Sequence, residues 1–312
     1  MKGFQFLNKA PLRVYFVFLP LFLFFLLLFF FSLTLILKVL VLRDKVLSVP
    51  FPVSEQAKFP IIKTQFVPII SATGAIIMDA DSKVVLYQKN PDLRFSLAST
   101  TKIMTALTAL DYFKLNDVLT VKKITSEGSV LGLFEGEQMT FENLLYAMLL
   151  PSANDAALTI SQNYPGGEEA FVEKMNNKAK ELKLYNTHFS DAAGLMDEGD
   201  YTTPFDLSRL ASFAAKNSVI KKVVGTKEKI IYDLTGYNAY SLSNLNKLLG
   251  INGVSGIKTG YTQEAGQVLV TSKQEKGKTI IIVVMGSEDR LVDTVKLLDL
   301  VSNSLTYLSI HP

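Results

Sequence analysis

The sequence contains no cysteine and only two histidines. The lack of cysteine excludes disulfides, thiolate metal sites and a cysteine nucleophile, and it is compatible with a domain outside the cytoplasm that its core alone holds together. A Ser-His-Asp triad or a histidine metal site would have to use His188 or His311. The two are far apart in sequence and His311 is next to the last residue, so neither kind of site is supported.

The sequence also lacks a large excess of charge of either sign. The chain carries 32 Lys and Arg against 29 Asp and Glu, a formal net charge of +3, and has no basic block. Nucleic acid is therefore not indicated as a partner. No internal repeat is visible, and the 312 residues predict one large globular domain with an appendage.

The appendage is an apolar stretch near the N-terminus. No charged residue occurs from Val14 to Leu37, which is long enough to cross a bilayer as a helix. A cleaved signal peptide would have a shorter apolar core and a small-x-small site. We therefore predict an uncleaved transmembrane anchor at 14–42 that contacts the lipid bilayer, after a cytoplasmic N-terminus at 1–13. Lysines and arginines flank both ends, so the chemistry argued below chooses this orientation.

The next segment, 43–70, contains four prolines among short apolar pairs. This composition is poor for helix and suits an extended stalk. We therefore predict a stalk over 43–70 and a catalytic domain over 71–312.

The domain is strand-rich at both ends and helical between them. Short apolar runs predict strands at 75–78, 84–87, 253–260, 267–271 and 279–285. Helical spacing and caps predict helices from Ser99 to about Asn116, from Thr140 to Pro151, through Phe171–Leu182, from Thr203, and from Glu288 to Leu308. A polar turn at 272–278 would join the last two strands. The pattern predicts an α+β fold whose antiparallel sheet is formed by both ends, with a helical insertion and the active site between them.

Ser99 and Lys102 form a Ser-x-x-Lys motif at the start of the first of these helices. Residues three apart are neighbours on a helix face. Desolvation would lower the pKa of the lysine and let its amine take a proton from the serine. The same spacing recurs at Ser218/Lys221 and Ser255/Lys258, so the motif alone decides nothing.

Two further motifs supply the context. Ser152-x-Asn154 follows the Thr140 helix in a turn, and Lys258-Thr259-Gly260 lies in a predicted strand. Each has an ordinary interpretation, since Ser161-x-Asn163 repeats the first and Lys258 could be a plain strand lysine. The order Ser-x-x-Lys, Ser-x-Asn, Lys-Thr-Gly is the informative feature, because this set is typical of penicillin-binding proteins and class A β-lactamases.

On these motifs the chain resembles the serine D-alanyl-D-alanine carboxypeptidases, the low-molecular-mass penicillin-binding proteins of the β-lactamase/transpeptidase-like superfamily. The resemblance extends over roughly 66–305 and includes 175–179, Thr187-His188-Phe189 and Gly194-Leu195. It departs from the family at Asp191-Ala192-Ala193, where Asn-Pro is usual, which puts the local turn in doubt. The β-rich C-terminal domain of many relatives is not seen, so membrane attachment is expected at the N-terminus.

The resemblance implies a catalytic set of three residues. Ser99 would attack the carbonyl between two terminal D-alanines while Lys102 accepts its proton, and water would hydrolyse the acyl-enzyme. Ser152 would relay a proton toward the leaving amine. The implied substrate is the peptidoglycan stem peptide, with β-lactams as covalent inhibitors that are released slowly, and the chain would be a single-pass cell-membrane protein whose catalytic domain lies on the extracytoplasmic side.

The resemblance also implies a substrate-binding set, namely Asn154, Lys258, Thr259, Gly260 and Tyr261. Asn154 would hold the substrate backbone, and Lys258 and Thr259 would meet the terminal carboxylate. A glycine at a strand edge lets a substrate backbone approach closely. The backbone N–H groups of Tyr261 and of the nucleophile would form the oxyanion hole. No metal or other cofactor is required.

Several alternatives stay open. Glu173 and Asn177 imitate the deacylation motif of a class A β-lactamase, but they fall within an amphipathic helix, which favours a peptidase. A cross-link endopeptidase uses the same three motifs, and an idle peptidoglycan-binding module would not need them. His188 is interpreted as a buried or capping residue, and Arg290 as an ordinary surface arginine rather than a carboxylate ligand.

Overall fold

A computed structural model describes residues 12–47, 58–64, 66–196 and 199–309. Its helices are α1 (Leu12–Leu47), α2 (Thr101–Leu110), α3 (Phe141–Leu149), α4 (Asn154–Asn163), α5 (Gly167–Glu181), α6 (Pro204–Lys216), α7 (Ser218–Val224) and α8 (Arg290–Ser304). Its strands are β1 (Lys58–Ile62), β2 (Gly74–Asp79), β3 (Val85–Lys89), β4 (Val118–Thr120), β5 (Gln138–Thr140), β6 (Glu228–Tyr232), β7 (Ala239–Ser243), β8 (Val254–Thr262), β9 (Gly266–Glu275), β10 (Lys278–Ser287) and β11 (Leu305–Ser309). The chain divides into two compact units, the first ending at Ala57 and the second comprising Lys58–Ile310.

The first unit contains α1. Its stretch Phe22–Leu40 has the length and composition to cross a membrane, because 19 residues of helix extend about 28 Å against a bilayer core of about 30 Å. A signal sequence passes the same test. The helix itself continues to Leu47, past the predicted end of the anchor at residue 42, because Arg43, Asp44 and Lys45 are as compatible with helix as with a linker.

The second unit begins inside the segment predicted to be a stalk. Residues Lys58–Ile62 form β1, which pairs antiparallel with β11 in a two-stranded sheet. Proline is tolerated here because both strands are edges. The stalk prediction is therefore wrong for 43–47, which are helical, and for 58–62, because local composition does not reveal a pairing partner some 245 residues further along the chain. Residues 48–57 lie outside the described residues.

The main sheet has the order β3-β2-β10-β9-β8 and is antiparallel throughout. Both ends of the domain therefore contribute strands to it, as predicted. The predicted turn 272–278 is wrong, because β9 continues to Glu275. Ser272 and Lys273 are accommodated in the strand because the Lys273 ammonium donates to the Asn252 carbonyl at 2.6 Å and to the Ser302 hydroxyl at 2.9 Å.

Helices α2 to α7 lie between β3 and β8 in the chain and form the predicted helical insertion. Thr140 and Thr203 cap α3 and α6 by accepting from backbone N–H groups three residues on. On α5, Phe171 and Met175 are buried. The helix that begins near Ser99 ends at Leu110, not at Asn116, because a turn held by the Asp117 carboxylate follows it.

The core has two layers, one on each face of the sheet. One face packs on the helical insertion and the other packs on α8. The last helix ends at Ser304 rather than Leu308, since Leu305–Ser309 turns into β11 and pairs with β1. This arrangement leaves the turn Ala98–Thr100, which precedes α2, and the strand β8 side by side at the boundary between the sheet and the helices.

Candidate active site

Ser99 lies in a one-turn 3₁₀ helix, Ala98–Thr100, that leads directly into α2. Ala98 has a φ of +46°, a conformation that disfavours any side chain. Gly194 packs against it so closely that a Cβ at position 194 would lie 1.9 Å from the Ala98 carbonyl oxygen. The turn that presents Ser99 is therefore held in a strained conformation by tight packing from a second loop.

Lys102 is fully buried one turn after Ser99. Its Nζ lies 3.0 Å from the Ser99 Oγ, 2.7 Å from the Asn154 Oδ1 and 2.6 Å from the Ala193 carbonyl oxygen. The last two partners accept hydrogen bonds only, since the amide nitrogen of Asn154 donates elsewhere, to the Glu127 carbonyl at 2.7 Å. Among the three described partners of Lys102, only Ser99 carries a proton to give.

The protonation of Lys102 follows from this environment. Burial lowers its pKa to about 7, against smaller opposing effects of Asp191 and Asp155. A neutral amine has two N–H donors and one lone pair, which match two acceptors and one hydroxyl. The pair can therefore transfer a proton from Ser99 to Lys102 near neutral pH.

Ser152 and Asn154 enter the site from the junction of α3 and α4. Asn154 is the first residue of α4 rather than part of a free turn, which fixes its amide against Lys102. Ser152 has a φ of +71°, and its buried hydroxyl has no hydrogen-bond partner among the described residues. An unpaired buried hydroxyl is costly in a folded protein and indicates a function beyond packing.

Asp155 is a residue that the sequence did not single out. Its carboxylate accepts from the backbone N–H groups of Leu131, Gly132 and Leu133 at 2.8–3.1 Å. The Asn154 N–H donates to the Ser129 carbonyl at 2.7 Å. The start of α4 therefore holds the loop 127–133 beside the site, and the available signal was an aspartate in a first helical turn.

Strand β8 brings the third motif close to Ser99. Lys258 and Thr259 are buried, and the Lys258 Nζ donates to the Thr259 carbonyl at 3.1 Å. Burial holds the pKa of Lys258 well below its usual range, and the positive charges of Lys102 and Arg290 lower it further. Gly260 is so close that a Cβ there would lie 3.4 Å from the Ser99 backbone nitrogen.

The Tyr261 side chain is exposed, so only its backbone belongs to this strand edge. The strand places Lys258 and Thr259 both in buried surroundings, although simple alternation would separate them.

The interpretation of Arg290 as an ordinary surface arginine is wrong. This residue is half-buried at the start of α8, and its Nη1 donates to the Gly260 carbonyl at 2.7 Å. Only the contact between α8 and β8 reveals this.

The segment Asp191-Ala192-Ala193 forms a well-bonded turn despite its departure from the family pattern. The Asp191 carboxylate accepts from four consecutive backbone N–H groups, those of residues 193–196. The turn presents the Ala193 carbonyl to Lys102. The doubt that the sequence raised about this turn is thereby resolved.

The other candidate motifs in the sequence do not lie in a buried site of this kind. Ser218 and Lys221 are exposed on α7, Ser255 bonds to Ser272, and Ser161 donates to the Leu158 carbonyl. Glu173 is exposed on α5. His188 is exposed rather than buried, although its backbone pairs with Tyr201 and its Nδ1 lies 3.0 Å from the Gly199 carbonyl; His311 is outside the described residues.

Known proteins share this chain's sequence and fold. The family described as D-alanyl-D-alanine carboxypeptidase matches residues 62–289. A Bacillus subtilis protein named D-alanyl-D-alanine carboxypeptidase DacF is 37% identical over 239 residues, which cover 73% of this chain and 61% of that protein. A Pseudomonas aeruginosa protein named D-alanyl-D-alanine endopeptidase is 31% identical over 238 residues, covering 73% and 76%. The crystal structure of the Streptomyces K15 DD-transpeptidase has a TM-score of 0.72 at 35% identity and covers 75% of this chain and 98% of that one, which confirms the predicted fold.

Proposed function

Because the chain belongs to the D-alanyl-D-alanine carboxypeptidase family of serine peptidases, we propose that it removes the terminal D-alanine from peptidoglycan stem peptides through an acyl-enzyme on Ser99. The observation that carries the proposal is the environment of Lys102. The amine is buried and contacts two oxygens that only accept and one hydroxyl, so in its neutral form it would donate to the two acceptors and direct its lone pair at Ser99.

In the first step the Ser99 Oγ bonds to the carbonyl carbon between two terminal D-alanines, and its proton passes to the Lys102 Nζ. The peptide C–N bond then breaks, and the leaving amine of D-alanine takes up a proton through Ser152. The unpaired buried hydroxyl of Ser152 supports this role, because it has both a donor and an acceptor free for the relay. Water hydrolyses the resulting ester and regenerates Ser99.

The developing oxyanion would be held by the backbone N–H groups of Ser99 and Tyr261. The absence of a side chain at Gly260 keeps the gap beside the Ser99 nitrogen open. On the substrate, Lys258 and Thr259 would bind the terminal carboxylate. An anion beside Lys258 would favour its charged form, which burial otherwise disfavours. Asn154 would meet the substrate backbone.

The same chemistry predicts covalent reaction with penicillin. The β-lactam carbonyl would acylate Ser99, and slow hydrolysis would follow. Glu173 is exposed on α5, so it does not supply the loop base that a class A β-lactamase uses for fast deacylation. Rapid turnover of penicillin by the protein would contradict this assignment.

We place the domain outside the cell membrane. In this proposal α1 is a single-pass anchor, residues 1–13 lie in the cytoplasm, and the peptidase domain faces the cell wall. The support is the apolar stretch Phe22–Leu40 together with the proposed substrate, the peptidoglycan of the cell wall, which lies outside the cytoplasm.

A second function is favoured by one observation, the relative named D-alanyl-D-alanine endopeptidase at 31% identity. An endopeptidase would use the same acylation chemistry on a cross-linked peptide. The choice depends on the shape of the substrate cleft rather than on the three motifs. An idle binding module would not need the Ser99–Lys102 pair.

The deciding experiment incubates the full chain, in detergent, with a pentapeptide that ends in D-alanyl-D-alanine and measures released D-alanine. Ser99→Ala should abolish the release. Ser218→Ala is the matched control, because Ser218 has the same spacing to a lysine but is exposed on α7. No release from a protein that still reacts with labelled penicillin at Ser99 would move the substrate to cross-linked peptides, and no reaction with either would support a binding module.

A further inference from the structure

Exposed apolar side chains form a strip at the place where the chain enters its second unit. Ile69 exposes 85% of its surface, Phe66 70% and Val67 67%. Phe59 on β1 and Leu308 on β11 are directly paired across their two-stranded sheet and are exposed as well. Single exposed apolar residues need no explanation, but a group of this kind marks a contact surface.

The fold holds these side chains outward. Ile69 lies between Pro68 and Ile70, which are both buried, so it cannot turn inward without displacing them. The backbone of this segment is fixed along α8: the Lys63 N–H donates to the Ser304 carbonyl at 2.9 Å, and the Ser71 N–H donates to the Asp293 carboxylate at 3.0 Å. Hydrogen bonds to α8 and its C-terminal end therefore hold the chain on both sides of the strip.

Helix α8 continues the strip along its exposed side. The Lys296 ammonium donates to the Ile69 carbonyl at 2.7 Å, and the exposed Val292 lies one turn away on the same helix face. The exposed Lys63 can extend its ammonium group past apolar surface toward phosphates. Asp299 is also exposed on this face of α8, so apolar contact rather than net charge would dominate binding.

The strip lies on the side of the sheet away from the nucleophile. Leu297 and Val301 of α8 pack in the core layer that contains Ile77, whereas Met104 of α2 packs in the layer that contains Ile76. Because neighbouring residues of a strand point to opposite faces, the two helices cover opposite faces of the sheet. A surface that binds the strip would therefore leave the helical face, and the Ser99 turn, uncovered.

We propose that this strip rests in the interface of a lipid bilayer, with Phe66, Val67 and Ile69 among the acyl chains and headgroups. The inference rests on the proposed anchoring by α1. Only ten residues, 48–57, separate Leu47 from Lys58, and a chain of that length extends at most about 40 Å. The anchor therefore keeps the strip at high local concentration beside the bilayer, where apolar interfacial contacts of low intrinsic affinity suffice.

The chain has no tryptophan, which permits a direct test. Single tryptophans are introduced into the full chain in vesicles, as Ile69→Trp in the strip, Phe30→Trp in α1 and Tyr237→Trp at a site that is 92% exposed outside the strip. Their fluorescence is compared in ordinary phosphatidylcholine and in phosphatidylcholine brominated on its acyl chains. Interfacial residues lie about 5–10 Å into the bilayer, so we expect at least roughly twofold quenching at position 69 and none at 237.

Each pattern decides between the proposals. Quenching at positions 30 and 69 but not at 237 supports both the anchor and the bilayer-bound strip. Quenching at position 30 alone overturns the strip and leaves the anchor standing. If position 30 is not quenched, the anchor is overturned, and quenching at 69 then decides the strip by itself. A blue-shifted but unquenched signal at 69 would mean that a second copy of the chain covers the strip, which also overturns the proposal.

Discussion

At the scale of single residues, the site depends on which partner of Lys102 can give a proton. Asn154 and Ala193 present oxygens that only accept, so they orient the amine, and the proposed mechanism has it take a proton from Ser99. Burial favours the neutral form that this role requires. The residue is thus both held and activated by groups from three separate segments.

The pH dependence of acylation follows from that pKa. Since burial lowers the pKa of Lys102 to about 7, the neutral base is the minority form below pH 7 and the majority form above it. We expect the rate of labelling by fluorescent penicillin to fall about tenfold per pH unit below 7 and to level off above it. Lys102→Arg, which stays charged, should label at no pH. A rate that is constant from pH 5 to 9 would contradict this role.

The substitution Ser152→Ala is predicted to slow the reaction without lowering the stability of the protein. Ser152→Ala removes a buried hydroxyl that has no partner among the described residues, so the free energy of unfolding should stay equal or rise by about 1 kcal/mol. Acylation should nevertheless slow by about 10²–10⁴, the usual effect of losing a proton relay.

The matched control is Ser161→Ala, because Ser161 stands in the other Ser-x-Asn and already donates to the Leu158 carbonyl at 2.9 Å. It should leave the acylation rate unchanged. Urea unfolding and penicillin labelling of both variants test the contrast, and a Ser152→Ala protein that is fully active would remove Ser152 from the mechanism.

At the scale of elements, strand β8 and the turn before α2 must approach each other closely. A Cβ on Gly260 would lie 3.2 Å from the Ala98 Cβ and 3.4 Å from the Ser99 nitrogen. Contacts this short require the strand or the turn to shift by a few tenths of an ångström. Arg290 at the start of α8 donates a hydrogen bond to the backbone carbonyl of Gly260, so α8 also positions this strand.

Gly260→Ala should therefore slow acylation by about 10–100-fold, since small misplacements of reacting groups carry large penalties in rate. The control is Gly236→Ala in the loop between β6 and β7, where a Cβ meets nothing within 4 Å but φ is +78°. That variant should lose about 1–2 kcal/mol of stability through backbone strain and keep its acylation rate. Equal rates for both variants would show that the approach of β8 is not critical.

At the scale of the whole molecule, a buried acid links stability to pH. Asp200 accepts a hydrogen bond from the Ser190 N–H and a second one, at 3.4 Å, from the hydroxyl of Thr101, which follows the turn that presents Ser99. Burial raises its pKa from 3.8 to about 7. Between these values the folded chain keeps a proton that the unfolded chain has lost, so folding grows less favourable as pH rises from 4 to 7 and changes no further through this group above 7.

Asp200→Asn keeps the acceptor but carries no charge. We expect its stability advantage over the native chain to grow between pH 4 and 7 by roughly 2–4 kcal/mol, from a shift of about three pKa units. Urea unfolding of both proteins at pH 4.5, 6 and 7.5 measures the difference. An advantage that does not change with pH would mean that Asp200 is charged throughout this range.

The sequence by itself determined the features that depend on local patterns. The caps at Thr140 and Thr203 and the apolar face of α5 follow from residues within one or two helical turns, because capping and helix periodicity are short-range effects. The strands at both ends of the domain were likewise predicted from short apolar runs, which are local features of the sequence. The three motifs stand at the starts or ends of such elements, and their order was enough to predict the fold, which the solved structures confirm. The roles of the site residues stay predictions.

Only the tertiary structure decided which groups meet. Three contacts join segments that are 23–91 residues apart: the Ala193 carbonyl on Lys102, the Asp155 carboxylate on its loop, and Arg290 on Gly260. No local pattern encodes such contacts. The pairing of β1 with β11 replaced a predicted stalk for the same reason. Packing also set the burial that lowers the pKa of Lys102, since desolvation depends on every element around a side chain and not on its neighbours in sequence.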